Sequence, residues 1–167
     1  MATQKNLNDL MIAVMQDIYY AERQILKALP KMAKAAHNDE LKQAFMHHRE
    51  ETQGQVERLQ KAFDALGKRA RGATCEALNG LVEETEEVIE EFPQGDVRDA
   101  GLIACAQAVE HYEMARYGTL VAWAKAAGQK EVVQLMKETL EEEKKTDTLL
   151  NDLANGKINP QAVKQAA

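Results

Sequence analysis

From Leu7 to Ala36 the apolar side chains return every three or four residues, through Met11, Val14, Ile18, Ala21, Ile25, Leu29 and Met32. A stripe of that period is one face of an amphipathic helix, and a face of this length has to be buried against other helices. The same period returns in three more long segments. One carries Leu41, Phe45, Leu59, Ala62 and Leu66, the next Leu102, Ala106, Val109, Tyr117, Leu120 and Ala124, and the last Val132, Met136, Leu140, Leu150 and Ala154. No segment alternates as a strand does, and nine Gly with three Pro are too few for the frequent turns of an all-β chain. The predicted fold is all-α, an antiparallel four-helix bundle with helices over 6–36, 39–66, 97–127 and 130–154. A fifth, shorter helix over 75–92 sits in a long crossover.

The punctuation agrees with these bounds. Asn6 with Asp9 forms a capping box, Asn38 caps the second helix, and Asp96 with Asp99 opens the next long one. Gly67 and Gly128 stand where helices end. Pro30 falls inside the first stripe, which continues past it, so a kink is expected rather than an early end. Asn155-Gly156 is expected to stop the last helix and Asn159-Pro160 to open a loose tail, leaving a single domain over 1–167 with its helical core over 6–154.

An internal repeat supports the bundle. Sliding the chain by 91 residues without a gap lays Glu22 on Glu113, Leu29 on Leu120, Ala33-Lys-Ala-Ala36 on Ala124-Lys-Ala-Ala127 and Leu59 on Leu150. Eleven of the 47 positions from 17 to 63 are identical in that register. The chain reads as two related helical hairpins.

Charge and cysteine content exclude other classes. A net charge of −6 speaks against nucleic acid as the main partner. No apolar run is long enough to span a membrane, and the N-terminal residues lack the pattern of a signal peptide. Cys75 and Cys105 form neither a disulfide framework nor a Cys-x-x-Cys pair, so a reducing cytoplasm is the expected compartment.

The informative residues are those that interrupt the stripes. Glu22 does so in the first helix, His48 and Glu51 in the second, Glu110 and Glu113 in the third long helix, Glu143 and Asp147 in the last. Thr52 and Gln55 continue the polar middle of the second helix. Each interruption lies near mid-helix, and in an antiparallel bundle the middles meet at one level. One Glu at a stripe edge is ordinarily a solvated flank residue, and one His on an apolar face is ordinarily a hydrogen-bonded core histidine. Six carboxylates and an imidazole from four helices at one level are different, because buried carboxylates need pairing, protonation or metal. The nearest basic residues, Arg23, Arg49, Lys144 and Lys145, mostly fall off the stripes. Two divalent cations would neutralise most of the charge, and a carboxylate–imidazole donor set suits iron or manganese. The predicted metal-site residues are therefore Glu22, His48, Glu51, Glu110, Glu113, Glu143 and Asp147, with Glu22 and Glu113 facing each other across the pseudo-two-fold axis. The Glu-x-x-His signature of many di-iron bundles is absent; His48-x-x-Glu51 is its reverse. The glutamates between Glu83 and Glu91 read as a solvated face, His37 and His47 as surface residues, and Tyr20, Tyr112 and Tyr117 as either site lining or bundle packing, packing being the commoner use.

The segments DIYYAERQILKALPKMAKAA, HHREETQGQVERL, VRDAGLIACAQAVEHYEMARYGTL and ETLEEEKKTD closely resemble the YciF-like bacterial stress-induced proteins, over roughly residues 7–154. That resemblance implies the ferritin-like superfamily, with rubrerythrin and the di-iron carboxylate proteins, and a homodimer. It places the family's recurring polar positions on the seven residues just named, with Glu110-x-x-Glu113 similar to the paired glutamates of rubrerythrin. It also implies a link to osmotic, salt or oxidative stress. Two functions stay open: a di-metal protein reacting with peroxide or oxygen, and a non-catalytic metal-binding or interaction bundle. Iron storage in a cage is disfavoured, since nothing in the sequence points to a large closed assembly.

Overall fold

Asn6 starts the first helix by supplying the partners that a first turn lacks. Its side chain accepts from the backbone N–H groups of Asn8 and Asp9 at 2.9 and 3.2 Å, and Asp9 accepts from the Asn6 N–H at 2.9 Å. In this computed structural model, which describes residues 5–165, helix α1 then runs Leu7–Ala35, continuing through Pro30. Asn38 caps α2, Asp39–Ala65, its side chain accepting from the backbone N–H groups of Glu40 and Leu41. The shorter α3 spans Glu76–Glu91, α4 spans Asp96–Ala126 and α5 spans Lys130–Leu153. No strand occurs among the described residues, and no helix there is long and apolar enough to cross a membrane.

Two long hairpins, α1–α2 and α4–α5, pack side by side, with α1 against α4 and α2 against α5. Every neighbouring pair is antiparallel. The Tyr19 ring meets Phe63 edge-on, late in α2, and Arg58 near the end of α2 reaches Glu138 and Thr139 near the start of α5. The Tyr117 hydroxyl, late in α4, meets Glu22 of α1. This arrangement forces the chain to travel the bundle's length between α2 and α4, and α3 makes that journey outside the α1–α4 groove. Tyr20 donates to Asn79 at 2.9 Å and Lys31 pairs with Glu86 at 3.0 Å along it. A Cβ at Gly101 would stand 2.7 Å from a Val88 methyl, so the glycine lets α3 lie close on α4. The outer side of α3 carries the exposed glutamates Glu83, Glu84, Glu86, Glu87, Glu90 and Glu91.

The repeat is visible in the bounds. α1 and α4 end at Ala35 and Ala126, and α2 and α5 begin at Asp39 and Lys130, each pair 91 residues apart.

Two local expectations are corrected. Asp99 does not cap its own helix, whose N-cap is Gly95. It is fully buried and accepts from the backbone N–H groups of His37 and Asn38 at 2.8 and 2.7 Å, clamping the α1–α2 turn onto the first turn of α4. The chain also does not leave the bundle at Asn155-Gly156. A π-helical turn, Ala154–Ile158, leads into α6, Asn159–Gln165, and both pack on α4. Ile158 is fully buried, and a side chain of that size stabilises the fold by about 1.5–3 kcal/mol when withdrawn from water. That gain holds the segment down where local turn residues favour release.

Candidate metal centre

The four long helices each carry a mid-helix polar residue into the core. Glu22 of α1, Glu113 of α4 and Glu143 of α5 are fully buried, and Glu110 and His48 are nearly so. One ligand atom from each of His48, Glu110, Glu113 and Glu143 lies within 4.8 Å of the others. Glu22 of α1 is fully buried beside them, near enough for its charge to act on Glu113, and its Oε2 has no hydrogen-bond partner. His48 Nε2 lies 3.1 Å from Glu110 Oε1, off the line of a hydrogen bond, and 3.8 Å from Glu143 Oε2.

The outer nitrogen of His48 is held differently. Its Nδ1 lies 3.4 Å from the Thr146 hydroxyl and 3.5 Å from Glu51 Oε2. These contacts orient the ring so that Nε2 faces the carboxylates. Tyr117, fully buried, donates its hydroxyl to Glu22 Oε1.

Two predicted residues fall outside the converging group. Glu51 is part-exposed and touches only the outer side of His48, along with Thr146 and the surface His47. Asp147 is also part-exposed; it accepts from Gln107 at 3.1 Å and pairs with His111 at 3.2 Å. The reason is register. The buried positions of α2 run through His48, Thr52 and Gln55, and those of α5 through Thr139, Glu143 and Thr146. Glu51 and Asp147 each stand one residue off that seam, about 100° around the helix.

Other residues neighbour the ligands. Of the tyrosines open to site lining or packing, Tyr117 is the hydrogen-bond partner of Glu22. Thr139 and Thr146 gave no signal as single residues, but the 91-residue repeat marks them. It lays His48 on Thr139, Thr52 on Glu143 and Gln55 on Thr146. A Glu-x-x-His pair beginning at Glu143 would place its histidine at Thr146, and its repeat partner would be Thr52-x-x-Gln55. Both positions of α2 and one of α5 thus hold weak donors, and His48 and Glu110 bring nitrogen and oxygen to the cluster from other turns.

The electrostatics are those of a core short of positive charge. Arg23, Arg49, Lys144 and Lys145 are all exposed. Burial raises Glu22 from 4.5 to about 7, opposed by the Tyr117 hydrogen bond and His48. Burial, then the neighbouring carboxylates, holds Glu113 well above the usual range. Glu143 is raised by burial against the pull of His48. Burial works against charge on His48, but Glu110, Glu51 and Glu143 outweigh it and hold the imidazole well above its ordinary value. The hydrogen bond from His48 lowers Glu51.

Protein groups leave much of this cluster unsatisfied. Glu22 Oε2, Glu110 Oε2, both oxygens of Glu113, both of Glu143 and His48 Nε2 are buried without a hydrogen-bond partner. Buried polar atoms are rarely left so, and a cation is what such a donor set fits. Ionised, the four buried carboxylates carry the charge that two divalent cations cancel.

Residues 6–163 match the model of the "Domain of unknown function (DUF892)" family. The chain belongs to the DUF892 family. A curated relative, protein YciF of Escherichia coli strain K12, is 46% identical over 163 residues, which is 97% of this chain and 98% of that protein. The crystal structure of the E. coli stress protein YciF superposes with a TM-score of 0.89 at 46% identity, covering 93% of this chain and 99% of that one. YcfI of Rhodopseudomonas palustris matches with a TM-score of 0.87 at 47% identity over 90% of this chain and 96% of that one. A Xanthomonas campestris protein at 22% identity and a TM-score of 0.76, over 97% of this chain and 100% of that one, shares the fold. DUF892 here is a ferritin-like antiparallel four-helix bundle with a fifth helix in the crossover, whose core holds a buried His/Glu group able to take a metal.

Proposed function

We propose that this chain is a stress-response protein whose bundle core holds two divalent iron or manganese ions and reacts with peroxide or oxygen. One observation carries the proposal: three carboxylates and an imidazole converge, with the buried Glu22 beside them, most of their inward atoms unpartnered and no basic side chain among them. The ligands would be Glu22, Glu110, Glu113, Glu143 and Nε2 of His48. Glu113 and Glu143, each with both oxygens unpartnered, would offer two oxygens apiece to the ions. When bound, such metals supply redox and Lewis-acid chemistry toward an O–O bond. The chain's own groups do the positioning. Tyr117 engages one oxygen of Glu22 and leaves the other unpartnered, Glu51 and Thr146 steer the imidazole, and the apolar residues above and below exclude water.

Metal analysis of protein from metal-replete cells, and of metal-free protein titrated with Fe(II) or Mn(II), tests this. About two ions per chain are expected. Glu113→Ala should abolish binding while circular dichroism shows the helix content retained. Wild-type protein that holds no more metal than Glu113→Ala refutes the proposal.

A second function is favoured by Thr52, Gln55 and Thr146 standing where stronger ligands would complete the site. In that case the bundle binds metal, or another protein, without turnover. Metal-loaded protein that consumes neither peroxide nor oxygen would decide for it. We also propose a symmetric homodimer, to be checked by sedimentation, with a concentration-independent monomer as the refuting result. A reducing compartment, the cytoplasm, accords with Cys75 and Cys105 both being free thiols.

A further inference from the structure

Beside the carboxylate cluster the core is incompletely filled. A cavity of about 30 Å³ is lined by residues of all five helices α1 to α5, His48 and Glu110 among them. Val82 and Thr85 line it from α3, and Leu29, Phe45, Ala106 and Leu150 form much of its wall. The polar side chains that line it offer little to a guest. The Thr85 hydroxyl already donates to the Leu81 carbonyl at 2.9 Å, and the Thr146 hydroxyl is turned to His48 and Glu51. Hydrogen-bonding capacity is therefore confined to His48 and Glu110.

We propose that this cavity is a chamber for a small apolar molecule, dioxygen, held against the His48–Glu110 edge of the metal centre. The proposal rests on the metal-binding function above and narrows its oxidant from peroxide or oxygen to oxygen. The volume exceeds the ~10–15 Å³ that a cavity needs to hold one water-sized molecule. Water needs two to four polar partners to stay in a cavity, and an apolar cavity remains dry and takes apolar guests such as xenon. Hydrogen peroxide both donates and accepts hydrogen bonds and would have to shed its water along an apolar wall. Dioxygen makes no such demand, and entering the cavity removes it from water. Small residues keep the space open: Ala28, Ala44 and Ala106 face it from α1, α2 and α4.

The test uses the full chain, first without metal. Crystals of metal-free protein under xenon pressure should show one xenon atom against Leu29, Phe45 and Leu150. Xenon absent there, or ordered water filling the apolar length, overturns the proposal. Ala106→Leu, with Ala44→Leu as a second variant should the first not fold, should lose the xenon site and keep the metal stoichiometry. In Fe(II)-loaded protein the same variant should slow oxidation by dioxygen about tenfold more than oxidation by hydrogen peroxide. Equal slowing by both oxidants also overturns the proposal. Failure of the underlying function is separable: protein that takes xenon but no metal refutes the metal centre and leaves the chamber standing.

Discussion

Chelated, metal-free protein should lose stability between pH 5 and pH 8. Burial raises the Glu22 carboxyl from 4.5 to about 7, whereas in the unfolded chain it titrates near 4.5. A group whose folded pKa is raised lends its full stabilisation below the unfolded value and loses it as pH climbs through the folded one. Over that span, at 1.36 kcal/mol per unit of pKa shift, Glu22 alone gives up about 2.5 kcal/mol. That is a large part of the ~5–15 kcal/mol that holds a domain folded. Glu113 and Glu143 are raised mainly by burial and act with the same sign. So does His48, whose favoured imidazolium is lost at high pH. Glu51, lowered by its bond to His48, acts with the opposite sign but below pH 4.5, outside the window. Urea unfolding in chelator at pH 5 and pH 8 measures the difference. With a slope of about 2 kcal/mol per molar, the midpoint should fall by about 1.2 M at the higher pH. Glu113→Gln, which removes one of the repelling charges, should flatten the dependence. Divalent metal should reverse it, because the ionised carboxylates then have a partner. A wild-type midpoint in chelator that stays level or rises from pH 5 to pH 8 would refute the burial argument for the whole cluster.

Tyr117→Phe leaves Glu22 Oε1 buried without its donor and should cost about 1–3 kcal/mol in metal-free protein, read from urea midpoints, with metal stoichiometry unchanged. Asp99→Ala strands the backbone N–H groups of His37 and Asn38 and should cost at least about 2 kcal/mol by thermal unfolding, from a position about three helical turns before Glu110 on α4. Asp147→Asn, on the seam's flank, should hold stability within about 0.5 kcal/mol and bind metal as wild type does, whereas His48→Ala should lose metal in the same titration.

The helices and their order were legible from residue spacing alone, because a stripe of period 3.6 over some thirty residues has one low-energy use: burial between helices. Caps at Asn6 and Asn38 and glycines at positive φ at Gly67 and Gly128 were legible for the same local reason. The convergence of Glu22, His48, Glu110, Glu113 and Glu143 could be read because mid-helix interruptions in an antiparallel bundle must meet at one level. The tertiary structure decided what periodicity leaves open by one residue. Side chains three and four apart share a broad face, so Glu51 and Asp147 matched the stripes as well as their neighbours did. Only the packing of α2 on α5 and α4 on α5 chose Thr52 and Thr146 for the interior and turned Glu51 and Asp147 outward. The same holds for Asp99, which reads locally as a cap and serves a turn some sixty residues away, and for Ile158, whose burial against α4 overrides the Asn-Gly and Asn-Pro signals around it. Contacts between segments distant in the chain set these outcomes, and no local pattern carries their energy.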